Sequence, residues 1–466
     1  MLSHAAALSL FGAFALAAPA PQGALPTLSA MTAPIPPVRS SQVTGPTSHG
    51  PFSGTPTVLG ALSRPATMMT LPNVPAPSPS YVNPNGLLQN DETVPYQPAG
   101  GQGTNGTQPY YHPLSDFDYQ SFTLALYQEW IELDLFHNGL ATFSVADFEA
   151  AGLTAEDRFL IEFMANQEVG HSTMISNILG AAAPAQCTYN YPFKTVREFI
   201  DFNQRLTRFG ESGVYGFLGH LDSRAAATLL LQAITTEARQ QLIFRQFNGQ
   251  FPMPVWFEVG IPQSWAWTLL APYISSCPAN NTRLAWQNFP SLTVLNEPNP
   301  NKIDPQINPN VSSAVTGSDP SNSTVVASSN YCPNATAVGS DCSAAISHNR
   351  TLPLSYPGRP IYLQWGNAGQ AVGPNNSYVT SRSPTADAPR YAMFVNQLNA
   401  TYVPLMNISG NTGVAIQPNT STFAGDPTIN GTSFIVVTSQ NVYVTPFNLS
   451  NINPFVFAGP VLYSSG

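Results

Sequence analysis

The sequence predicts a multi-domain chain of α plus β class: a disordered Pro-rich N-terminal arm, then a four-helix bundle, then a β-rich, sandwich-like C-terminal region. Three observations carry this. Residues 18–113 are rich in Pro, Ser, Thr, Gly and Ala and show no sustained period. Four long stretches between Asp116 and Asn248 repeat apolar residues every three or four positions. From Leu354 to Tyr463, short β-rich runs alternate with turn residues. These periods separate amphipathic helix from half-buried strand.

The elements follow in chain order. Residues 1–17 form a short apolar run ending in small residues, the pattern of a secretory signal peptide. The run is too short to anchor in a membrane, and no nucleic-acid or membrane partner is expected from a chain of net charge -9 whose only lysines are Lys194 and Lys302. Charged residues are 9% of the chain, against roughly 25% in an average soluble protein. The arm at 18–113 cannot bury enough apolar surface to offset its chain entropy.

A helical region at 114–278 comes next. Its first helix places Phe122, Ala125, Leu126, Glu129, Leu133 and Phe136 on one face and is expected to stop at Asn138-Gly139. The second starts at Thr154, with Asp157 completing a capping pattern, and runs to Gly180. Leu160, Phe163, Met164, Glu168, His171, Ile175 and Ile178 make its inner face. The third spans about Thr195 to Leu221 and carries Ile200, Glu211, Val214, Tyr215 and Leu218 along one stripe. After a break at Asp222-Ser223 the fourth turns Leu230, Ala233, Ile234, Glu237, Gln240, Gln241 and Phe244 inward, and a shorter helix near Ser264 to Ile274 packs across the bundle.

Residues 279–352 read as a glycosylated linker and 353–466 as the β-rich domain, with strands at 361–365, 391–395, 433–438, 442–445 and 455–457. Twelve Asn-x-Ser/Thr sequons lie outside the stretch from Asp116 to Asn248, the distribution of sugar-bearing segments around a packed helical core. Four cysteines fit an oxidising compartment. Cys332 and Cys342 are close enough to staple a short loop, which leaves Cys187 for Cys277 among the three possible connectivities. A soluble protein, secreted to the exterior or the cell wall, is expected, with wall or matrix components as partners.

The chemistry concentrates at Glu168-Val169-Gly170-His171, the one Glu-x-x-His of the chain. Residues three apart share a helix face, so carboxylate and imidazole can aim at one point. Each other long helix brings a Glu inside its apolar stripe: Glu129 or Glu132, Glu211, and Glu237. Carboxylates meeting in an apolar interior need a cation, protons or arginines among them, and Arg208 and Arg239 are the candidate arginines. Where a second imidazole would follow Glu237, the sequence has Gln240. The candidate metal ligands are therefore Glu129, Glu132, Glu168, His171, Glu211, Glu237 and Gln240. Tyr127, Tyr215, His137 and His220 read as core or surface residues.

The runs Gln128-Glu129-Trp130-Ile131-Glu132, Asn166-Gln167-Glu168-Val169-Gly170-His171, Gly210-Glu211-Ser212-Gly213-Val214-Tyr215-Gly216 and Thr236-Glu237-Ala238-Arg239-Gln240 resemble the ferritin-like domain. The whole chain is similar to fungal secreted stress-response and late sexual-development proteins. The resemblance implies one or two ions of iron or manganese at Glu129, Glu168, His171, Glu211 and Glu237, with Gln240 weakening the second position. It also leaves a second reading, a non-enzymatic cell-wall or matrix protein whose metal site has decayed.

Overall fold

The computed structural model describes residues 111–298, 355–426 and 431–466. The apolar leader, the arm up to residue 110, most of the linker and the Cys332–Cys342 pair lie outside them. Among the described residues the α-helices are α1 (Asp116–Thr142), α2 (Val145–Ala150), α3 (Ala155–Leu179), α4 (Val196–Leu218), α5 (Arg224–Phe247) and α6 (Gln263–Leu270). The four long ones make the bundle.

Local chemistry sets the helix starts. Ser115, Thr154 and Thr195 accept the third N–H of α1, α3 and α4, and at α3 and α4 Asp157 and Glu198 return the bond to the cap's own amide. The same box, Ser144 with Asp147, starts α2, a helix that periodicity alone does not reveal. Asp118 reaches furthest: its carboxylate accepts from Leu114 N, Asp222 N and Ser223 N at 2.8–3.0 Å, tying the α4–α5 turn to the start of α1.

Two expectations change. Gly139 does not stop α1, which continues to Thr142. A Cβ at Gly139 would lie 2.1 Å from the Phe199 ring, so this glycine is the place where α4 comes against α1. On α3, Leu160 and Phe163 point outward at 39% and 54% exposure, and Ile161 and Ala165 are buried in their stead. The run Phe159-Leu160-Ile161-Glu162-Phe163-Met164 is apolar nearly all round, so its period cannot select a face. Packing selects it from the Glu168–His171 side. The inner face expected of α5 is buried throughout.

The strands are β1 (Thr188–Tyr189), β2 (Ile274–Ser276), β3 (Leu292–Val294), β4 (Pro360–Trp365), β5 (Ala371–Val372), β6 (Tyr378–Val379), β7 (Tyr391–Asn396), β8 (Asn399–Pro404), β9 (Met406–Ser409), β10 (Thr412–Ile416), β11 (Thr432–Thr438) and β12 (Val456–Ser464). Two four-stranded antiparallel sheets form, ordered β3-β4-β10-β9 and β12-β11-β7-β8. β3 falls inside the expected linker. Residues 442–445 form no strand, because Tyr402 Oη donates to Val442 O and the Asn448 side chain takes Thr445 N, so side chains occupy the backbone groups a ladder would need. The Cys187–Cys277 disulfide joins the ends of the β1–β2 pair.

Alternation along the second sheet explains why β11 is buried end to end. Ile435, Val437, Ala392 and Phe394 face Leu292, Ile361, Leu363 and Trp365 of the first sheet. Phe434, Val436, Met393 and Val395 face the other way, into one apolar cluster with Trp265, Trp267 and the bundle helices. The helical core therefore runs on into the strands, and α6 touches α1, α4 and β12.

Two glycines test this packing. A Cβ at Gly216 of α4 would sit 1.8 Å from Ile261 O, and Ile261 N donates to Ser212 O, so backbone meets backbone there. Gly216→Ala is expected to lower stability by about 3 kcal/mol. At Gly170 a Cβ meets nothing within 4 Å, and Gly170→Ala is expected to raise stability by roughly 0.5–1 kcal/mol. Urea denaturation of both variants checks the pair; a mild effect at Gly216 would refute the close approach.

Candidate metal centre

Glu129 and Glu132 come from α1, Glu168 and His171 from α3, Glu211 from α4, and Glu237 and Gln240 from α5. All seven side chains are buried. His171 Nδ1 lies 3.2 Å from Glu168 Oε2, 3.3 Å from Glu129 Oε2 and 3.7 Å from Glu237 Oε1. One ligand atom each of Glu129, Glu168 and His171 falls within 4.8 Å of the others, a buried group able to hold a metal ion. The i,i+3 spacing on α3 thus does what the sequence predicts, and α1 and α5 bring the remaining carboxylates.

The other candidates divide. Glu132 accepts from Gln128 Nε2 at 2.7 Å. Gln240, at the position of an expected imidazole, turns its amide NH2 to Glu168 and to Gln167 Oε1. Glu211 is engaged elsewhere: Arg208 Nη1 is 3.0 Å from its Oε2, Tyr215 Oη donates to its Oε1, and Arg208 also bonds Glu258. Of the two candidate neutralising arginines, Arg208 takes that role and Arg239 is exposed. Arg208 is three residues from Glu211, a spacing visible in sequence. Glu258 lies in the α5–α6 connection, and nothing in sequence pairs it with α4. Tyr127 packs near Trp267 and His220 against Phe447, as core and surface residues do.

Burial dominates the electrostatics. It pushes Glu129 up to about 7, although His171 pulls the other way. Glu132 and Glu237 are driven well above the usual carboxylate range, first by burial and then by neighbouring carboxylates. At Glu168 burial also raises, but His171 and hydrogen bonds from Glu129 and Gln240 outweigh it, and the group stays ionised below its ordinary value. His171 is the counterpart: burial disfavours its charge, yet Glu168 and Glu129 hold it well above the usual imidazole range. Protons and one ion pair can therefore balance the group, and a cation would displace those protons.

The donor set fits a cation. Among the described residues, Glu132 Oε2, Glu237 Oε2 and Gln240 Oε1 are buried without a hydrogen-bond partner. Carboxylate oxygens with one imidazole suit a divalent cation.

A pH dependence follows. Glu129, Glu132 and Glu237 hold protons in the native state that the unfolded chain releases above about 4.5, so metal-free stability falls as pH rises from there towards 7. Glu129 alone accounts for on the order of 3 kcal/mol of that fall. His171 adds stability that is present below about 6.5 and lost as pH rises from there through its raised value, and Glu168 works in the opposite sense, on the acid side. Calorimetry in chelator should show Tm declining between about pH 5 and 7.5, with Mn2+ restoring more at the upper end. A Tm that climbs over that interval would contradict the assignment.

Residues 115–250 match the ferritin-like domain family. The protein rds1 of Schizosaccharomyces pombe is 50% identical over 389 residues, covering 83% of this chain and 90% of rds1. Identity at that level along most of both chains exceeds what a shared fold alone produces: the chain belongs to the family of rds1 and carries a ferritin-like domain at residues 115–250.

Proposed function

We propose that this is a secreted ferritin-like glycoprotein that binds iron or manganese and serves in stress response or sexual development. The observation that carries the reading is the buried Glu129–Glu168–His171 group, with Glu237 Oε1 beside it. A bound redox-active ion would supply electron exchange with dioxygen or peroxide. The chain's own residues would hold the ion (Glu129, Glu168, His171 and Glu237), steady Glu132 through Gln128, and keep bulk water away through the apolar walls of the bundle.

Secretion is supported by the apolar leader and by the described sequons: Asn280, Asn375, Asn399, Asn407, Asn419 and Asn448 are all exposed or half-exposed. Among the described residues no helix is long and apolar enough to cross a membrane. Placement in a cell wall or matrix is part of the same proposal.

A single ion is favoured over two. Glu211 already has its cation in Arg208, and Gln240 spends its amide on Glu168. The same two features favour, as second reading, a non-enzymatic wall protein with a decayed site.

Elemental analysis of the purified full chain decides. About one iron or manganese per chain is expected in the wild type and in Glu211→Gln, and less than about a tenth of that in Glu168→Gln/His171→Ala. Equally low metal in wild type and double variant would leave only the structural reading.

A further inference from the structure

The two ring nitrogens of His171 have different company. Nδ1 faces Glu129, Glu168 and Glu237. Nε2 lies 2.8 Å from Thr236 Oγ1. Thr236 and Glu237 are consecutive in α5, so one helix turn meets opposite edges of the same imidazole.

The Thr236 hydroxyl has a single proton and a second neighbour, Ala233 O, at 2.8 Å. A carbonyl offers no proton in return, and two oxygens that close with no hydrogen between them repel. The hydroxyl proton therefore lies towards Ala233 O, and a lone pair of Oγ1 is turned to the ring. That lone pair attracts Nε2 at this distance only when Nε2 carries hydrogen. Nε2–H donates to Thr236, and Nδ1 is the nitrogen left to the carboxylate group.

We infer that Thr236 is a positioning residue of the centre: by accepting the Nε2–H bond across from α5 it fixes the His171 ring and assigns Nδ1 as its cation-binding atom. This rests on the metal-centre reading above. Imidazole ligands are commonly oriented through their other nitrogen, and losing that partner typically weakens metal binding by about 10–100-fold. Here the partner is a neutral hydroxyl on the next helix, so the ring's orientation depends on the α3–α5 spacing as well as on α3 itself. The plainer role for Thr236, a side chain bonding only its own helix, predicts no effect on His171.

Two readouts on the full-length chain separate these. In protein carrying 15N-histidine and treated with chelator, with His171→Ala to assign the signal, Nε2 should show the shift of a protonated nitrogen and a slowly exchanging proton. Thr236→Val should lose the slow exchange and bind Mn2+ about 10–100-fold more weakly by calorimetry, and Thr236→Ser should keep both properties. An unprotonated Nε2 in the wild type, or a Thr236→Val protein matching wild type in exchange and affinity, overturns the inference. A wild type that takes up no Mn2+ sinks the metal-centre reading, and the nitrogen shift and exchange rate still decide the role of Thr236.

Discussion

Ionisable groups sealed from water must be neutralised inside the protein, and this constraint governs the bundle. An uncompensated buried charge costs several kcal/mol, a large share of the roughly 5–15 kcal/mol by which a domain is stable. Glu129, Glu132, Glu168, Glu211 and Glu237 are all buried, so each must have a partner. Glu168 has His171 and Glu211 has Arg208. The carboxyls of Glu129, Glu132 and Glu237 are left for protons or for a cation, and that remainder gives the centre its capacity to bind.

The β region contributes to this balance. Arg208 is shared between Glu211 and Glu258, and Glu258 lies in the connection from α5 to α6. The amides of Trp256 and Phe257 in the same connection donate to Gln397 Oε1, at the β7–β8 turn, while Gln397 Nε2 donates to Asp426. A line of bonds thus runs from a sheet turn to a bundle carboxylate. The two-sided burial of β11 gives the same coupling in apolar form: one face of the strand packs with the helices and the other with the first sheet. The strands are part of what holds the helices, and with them the carboxylates, in register.

Much of this was legible from residues alone, for identifiable reasons. The Thr154–Asp157 box and the Glu168–His171 pair are local, set by helix geometry, and hold in the folded chain. The inward face of α5 has one clean stripe and is buried as read. Where the local signal was degenerate the reading failed. The start of α3 is apolar on too many sides for its period to choose among Leu160, Ile161 and Phe163, and Gly139 serves a contact with Phe199 that is remote in sequence. The run 442–445 has strand composition, but side-chain hydrogen bonds claim its backbone.

By itself the sequence determined the four long helices, the Thr154–Asp157 cap and the α3 carboxylate–imidazole pair, because each depends on neighbours within a turn or two of helix. Only the tertiary structure decided which carboxylates meet. Glu129 and Glu237 reach His171, Glu258 joins the Arg208 that already pairs with Glu211, and Thr236 meets the far side of the ring. Those choices depend on distances between helices and on a loop seated against a sheet, and spacing along one chain does not encode them in any local pattern.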